Sequence, residues 1–78
     1  MKKLVEFIIS NIVDKKDKLT ITESLDKENN LVKLDIKAGP EDIGKIIGKR
    51  GKIIKAIRNL VRVKALQEGK RMILNLAD

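Results

Sequence analysis

The residues best suited to chemistry lie in one run, Ile46-Ile47-Gly48-Lys49-Arg50-Gly51-Lys52-Ile53-Ile54. Two glycines flank two cations. A glycine has no Cβ, so its backbone N–H can approach a phosphate closely. A helix that begins just after such a loop aims its unpaired amides and positive dipole end at the same place. Lys49 and Arg50 add full charges at the tip, with Lys45 and Lys52 on either side. The chemistry is anion capture without bond breaking; the plainer alternative is a tight turn between two helices. The chain has no His and no Cys, so the commonest agents of acid–base and nucleophilic catalysis are missing. Glu41 and Asp42 read as first-turn partners of a helix dipole, not as a catalytic pair. Residues 39–45 satisfy most of a nucleotide-phosphate loop, but Ile46 stands where a magnesium-binding hydroxyl is required. Neither an enzyme nor a metal or cofactor site is expected.

The elements that must position this loop follow from the spacing of apolar residues. Leu4, Val5, Ile8, Ile9 and Ile12 predict a helix over residues 3–13 with one buried face. Lys15 and Lys16 follow where a C-terminal dipole favours cations. Residues 18–25 and 31–38 alternate, and the polar run Asp26-Lys27-Glu28-Asn29-Asn30 between them predicts a hairpin loop. Gly39-Pro40-Glu41-Asp42 is a helix start, since proline suits the first turn. That helix is short, because Gly48 closes it. A longer one runs from about Lys52 to Gln67 with Gly69 as its cap. Lys70 to Leu76 alternates again.

At 100° per residue the long helix divides into faces. Ile53, Ile54, Ile57, Leu60 and Val61 form the expected core arc, and Lys64 falls in its middle, where a small apolar residue is expected. Lys52, Lys55, Arg58 and Arg62 share an arc of roughly 120° that continues the loop's charge along the helix; a solvated face is the plain reading of such a stripe. Ala56, Leu60 and Val63 form a secondary apolar stripe. With Leu66, it is the candidate surface for self-association.

Composition sets the partner class. The chain of 78 residues carries a net charge of +7. The imbalance is local: residues 43–77 hold ten Lys/Arg against one acid, whereas residues 1–42 hold eight against nine. A polyanion is implied, and its site belongs to the second half. One domain spanning residues 1–78 is expected, with a core small enough that good packing or oligomerisation must support it. Glu6, Ser10 and Asn11 interrupt the N-terminal apolar run, and no window nears the roughly 18–20 apolar residues of a membrane span. A soluble, cytoplasmic protein without membrane contact is expected.

The pattern of two aliphatics, Gly-x-x-Gly, two residues and an aliphatic over residues 46–54 resembles the signature of the KH domain. The element order resembles the type II form, and the whole chain is similar to the small stand-alone bacterial KH proteins of the KhpA type. The Pro-Glu-Asp-Ile-Gly-Lys-Ile-Ile-Gly-Lys and Glu-Gly-Lys-Arg segments at residues 40–49 and 68–71 carry the likeness. The resemblance implies an α+β fold, a three-stranded sheet packed against three helices in the order α-β-β-α-α-β. It also implies a groove for about four nucleotides of single-stranded RNA. Gly48, Lys49, Arg50 and Gly51 would hold the backbone, helped by Lys45, Lys52 and Lys55. Ile43, Ile46, Ile47 and Ile54 would form an aliphatic platform for bases, with Val32, Leu34 and Ile36 on a strand near or under it. Phe7 is the only aromatic residue, which excludes base-stacking sheets such as those of RRM modules. The implied role is an RNA chaperone or post-transcriptional regulator that forms homodimers and pairs with a larger Jag-type KH protein. The rival readings are a single-stranded DNA binder, a protein-pairing adaptor and a ribosome-associated factor.

Overall fold

The computed structural model describes residues 1–77. Six principal elements appear in the expected order: α1 (Lys2–Ser10), β1 (Thr20–Asp26), β2 (Leu31–Lys37), α2 (Pro40–Ile47), α3 (Lys52–Gln67) and β3 (Arg71–Ala77). Single turns of 3₁₀ helix stand at Lys16–Lys18 and Lys49–Gly51. The sheet has the order β1-β2-β3. β1 and β2 pair antiparallel, with Ile21 opposite Ile36 and Leu25 opposite Val32. β2 and β3 pair parallel, with Leu34 opposite Leu74. Parallel neighbours need a long crossover, and α2 with α3 supplies it.

Strand alternation gives the sheet one apolar face. Ile21, Val32, Leu34, Ile36 and Leu74 point to that face and join Val5, Ile9, Ile46, Ile54, Ile57 and Val61 of the helices in one core. Burying an aliphatic side chain of this size contributes roughly 1.5–3 kcal/mol. The opposite face presents exposed Thr20, Thr22, Ser24, Lys33, Lys37 and Asn75.

The end of α1 differs from expectation for a local reason, whereas the end of α3 falls where expected. α1 stops at Ser10, not residue 13, because the Ser10 hydroxyl and Asn11 side-chain amide both donate to the Phe7 carbonyl (3.2 and 2.6 Å). Side chains that bond the backbone in this way compete with helix continuation. Lys15 and Lys16 therefore lie beyond the helix, and no cation sits in its last turn. At the end of α3, Lys70 N–H donates to the Ala65 carbonyl (2.8 Å) and Gly69 N–H to the Leu66 carbonyl (3.0 Å), with Gly69 at φ 70°. These are the paired bonds of a glycine-capped helix end.

The face of α3 also departs from expectation. Ile54, Ile57, Val61 and Ala65 are its buried residues. Ile53 and Leu60, expected in the core, are exposed. The buried arc is rotated by roughly 45° from the predicted one, toward Ala65, so Ile53 and Leu60 on its far side reach solvent. The same rotation carries Lys64 out of the buried arc, and it pairs with Glu68 at 3.6 Å, which removes the apparent conflict of a lysine in an apolar arc.

Candidate nucleic-acid interface

α2 ends at Ile47 and the chain turns at Gly48, with φ 74° and ψ 176°. That region is essentially restricted to glycine. Space is closed as well: a Cβ on Gly48 would lie 2.5–2.8 Å from three side-chain carbons of Ile53. Gly48 N–H donates to the Gly44 carbonyl (2.9 Å) and Gly51 N–H to the Gly48 carbonyl (3.2 Å). Between them Arg50 takes φ 56°, and Gly51 follows at 72°. Arg50 is not a glycine, and its left-handed backbone is uncommon. Gly51 is the N-terminal cap of α3, and a Cβ there would meet only Ile54 Cγ2 at 4.0 Å; backbone conformation, not space, calls for glycine. The loop is thus a fixed turn that delivers two side chains to the start of α3.

Lys49, Arg50, Lys52 and Lys55 are all exposed, and none has an acidic partner among the described residues. Four unbalanced cations therefore surround the amides at the start of α3. Further along, the Arg58 guanidinium donates to the Leu74 carbonyl (3.4 Å) and Arg62 to the Asn59 side chain (2.6 Å). The first contact ties the basic stripe to an edge that sequence reasoning missed. β3 pairs only with β2. Arg71 N–H bonds the Asn30 carbonyl, and the Ala77 carbonyl accepts from Ala38. In a parallel ladder the backbone direction then alternates, so Met72, Leu74 and Leu76 turn their N–H and C=O groups to the open edge. Arg58 caps one of these carbonyls. The signal was present in the Lys70–Leu76 alternation, but an edge position is a property of topology.

Lys45 does not join the loop's cations. Its ammonium bonds the Asp14 carboxylate and lies 3.8 Å from Asp42. The expectation of an unengaged cation at Lys45 is corrected: its charge is balanced inside the fold. Asp42 is fully buried. Its two carboxylate oxygens accept the backbone N–H groups of Asp14 (3.0 Å) and Lys15 (2.8 Å). These N–H groups, and then Lys45, hold the Asp42 carboxyl below its ordinary range. The hydrogen bond to Asp14 pushes the Lys45 ammonium up. Glu41 accepts from Lys18 (3.2 Å), and its carboxyl is lowered by its own backbone N–H and by Lys18. Asp42 is therefore more than a dipole partner: it pins the segment after α1 to the first turn of α2.

The proposed aliphatic platform divides in two. Ile47 is exposed and Ile43 half-buried, so both can be touched from outside. Ile46, Val32, Leu34 and Ile36 are core residues, and Ile54 is nearly closed. As direct base contacts Ile46 and Ile54 are corrected, because helix packing buries them; Val32, Leu34 and Ile36 lie with them in the core. On α3, Ala56, Leu60 (58% exposed), Val63 (54%) and Leu66 (64%) all face solvent. Ile53 joins Ala56, Leu60 and Val63 at helical spacing. Leu66 lies about 100° away, beside the basic stripe.

A sheet of order β1-β2-β3 with a parallel β2/β3 pair, crossed by two helices joined at Gly48-Lys49-Arg50-Gly51, defines a KH domain of the type II form. Comparison with known proteins narrows this. The family model for the KhpA/KhpB KH domain matches residues 2–76. RNA-binding protein KhpA of Clostridium perfringens is 42% identical over 76 residues, covering 97% of this chain and 99% of that one. The protein of the same name from Aquifex aeolicus is 33% identical over 78 residues, covering 100% and 96%. That from Chlamydia trachomatis is 35% identical over 78 residues, covering 100% and 97%. No solved structure gives a significant match. The chain belongs to the KhpA/KhpB family of KH domains.

Proposed function

We propose that this protein binds single-stranded RNA, with the Gly48–Gly51 turn holding the backbone of about four nucleotides. The observation that carries this reading is the set Lys49, Arg50, Lys52 and Lys55, exposed and without acidic partners around a turn whose geometry is fixed. These charges crowd around the start of α3, where they add to the positive end of the helix dipole and an anion relieves their mutual repulsion. Ile43 and Ile47 offer the accessible aliphatic surface for bases. The relatives are named as RNA-binding proteins, which supports the same class. The role is that of an RNA chaperone or regulator in the cytoplasm, with no catalysis and no cofactor. No helix among the described residues is long and apolar enough to cross a membrane.

A single four-nucleotide footprint binds weakly, and two domains joined together raise the effective concentration. The exposed stripe Ile53, Ala56, Leu60 and Val63 favours pairing through α3, with a second copy or with a larger Jag-type KH protein. That stripe also supports an adaptor as the second reading. The test is titration with a mixed-sequence single-stranded RNA across a salt series. With about three phosphates neutralised, log K falls with log salt at a slope of roughly −2. Lys49→Asp/Arg50→Asp, folded by circular dichroism, loses at least about a hundredfold in affinity at low salt, and its slope flattens. Retained affinity refutes the loop reading. If Leu60→Asp then abolishes activity in cells while the loop variant keeps it, the adaptor reading takes its place.

A further inference from the structure

A concavity lies apart from the loop. It is an open groove of about 490 Å³ lined by Lys3, Glu6, Phe7, Ser10, Lys16, Leu19 and Ile21, within the size range of small-ligand sites. None of these residues belongs to α2, the glycine turn or α3. Phe7 is 70% exposed. It sits about 160° around α1 from Val5 and from Ile9, the helix's buried residues. The ring therefore plays no part in the core, and the fold leaves its large apolar surface unused. Lys3 and Ser10 lie on the same face of the helix as Phe7, one turn to either side.

The charges in the groove are not balanced. Glu6 is engaged by Lys2 at 3.9 Å, whereas Lys3 and Lys16 have no acidic partner among the described residues. An exposed aromatic ring between unpaired cations matches single-stranded nucleic acid: the base stacks on the ring and the phosphate meets the cations. Resting on the RNA-binding reading, we propose that this groove takes one unpaired nucleotide of an RNA strand that runs beyond the segment held at the glycine turn, its base on Phe7 and its phosphate by Lys3 and Lys16.

The test uses two mixed-sequence RNAs, one of about four nucleotides and one of about twelve, roughly one and three footprints. Phe7→Ala and Phe7→Leu lose about five- to a hundredfold in affinity for the longer RNA and nothing for the shorter, while Phe7→Trp keeps both. Because Phe7 is the only Phe and there is no Trp or Tyr, fluorophenylalanine labelling of the wild-type chain gives a single ¹⁹F resonance. It moves with the longer RNA and stays with the shorter. The proposal is overturned if Phe7→Ala binds both RNAs like wild type, or loses both equally. It is also overturned if the substitution alters only self-association in sedimentation, which would make the groove a protein contact beside the open edge of β1. Running Lys49→Asp/Arg50→Asp in parallel separates the two readings. Loss of binding there but not in Phe7→Ala retains the loop and removes the groove; the reverse retains the groove and removes the loop.

Discussion

The two ends of α2 carry two charged clusters of opposite character. At its start, Asp42, Glu41, Lys45, Asp14 and Lys18 are joined in ion pairs, and Asp42 is wholly buried with both oxygens occupied. At its end, Lys49, Arg50 and Lys52 have no acidic partner among the described residues and stand in solvent. α2 is eight residues, about 12 Å, from end to end, and Lys45 in its last turn reaches back to Asp14 and Asp42 of the first cluster. Charge satisfied within the chain holds a fold together; charge left unsatisfied is available to a ligand. Composition does not distinguish the two, because lysine occurs in both.

Three substitutions sharpen that contrast, in order of expected effect. Gly48→Ala comes first. The new methyl must displace Ile53 at 2.5–2.8 Å and adopt a glycine-only backbone, so the melting temperature falls by roughly 10–20 °C. RNA affinity of the remaining folded protein falls with it, because the turn is reshaped. A variant with wild-type melting would show that the turn is not fixed. Asp42→Asn comes second. It takes one acceptor from two N–H groups, and melting falls by roughly 5–10 °C, while RNA affinity at neutral pH changes less than about threefold.

Its pH profile is the sharper readout. The Asp42 carboxyl is lowered in the folded state, so its stabilisation is complete above the ordinary carboxylate value of about 4. It is lost as pH falls through the lowered folded value. The variant therefore has a flatter acid limb in a melting-temperature series. For Lys45 the sign reverses: its raised value gives stability that is complete below about 10.4 and lost as pH rises through the folded value.

Gly44→Ala is the smallest and most discriminating change. A Cβ at Gly44 meets nothing within 4 Å, and glycine in a helix costs about 1 kcal/mol relative to alanine. Melting rises by roughly 3–6 °C. Gly44 lies one turn before Gly48 on the same face, so the added methyl lowers RNA affinity if the strand passes close to α2. Unchanged affinity would place the strand on the α3 side of the turn.

Much of this molecule was legible in its sequence. The two periodicities placed α1, α3 and the three strands, Pro40 and Gly48 bounded α2, and Gly69 marked the end of α3. The Gly48–Gly51 turn was legible because a close backbone approach to an anion and a positive φ both call for glycine. The division of residues within an element was less so. Ile53 and Ile54 are identical and adjacent, yet one covers Gly48 at the surface and the other is in the core. Ile46 and Ile47 divide in the same way. Asp42 looked like any first-turn acid, since nothing local announces the Asp14 and Lys15 amides brought from 28 and 27 residues away.

The sequence by itself determined the order of elements, the glycine turn and the concentration of positive charge in the second half, because each depends on local backbone preference or on counting. Tertiary structure decided which lysines are neutralised, that Val32, Leu34 and Ile36 lie under helices, that β3 has an open edge beside Arg58, and that Phe7 stands outside the core. Those outcomes depend on which segments meet in space. Pairing and burial are relations between distant residues, and a periodic pattern records only the face on which each one lies.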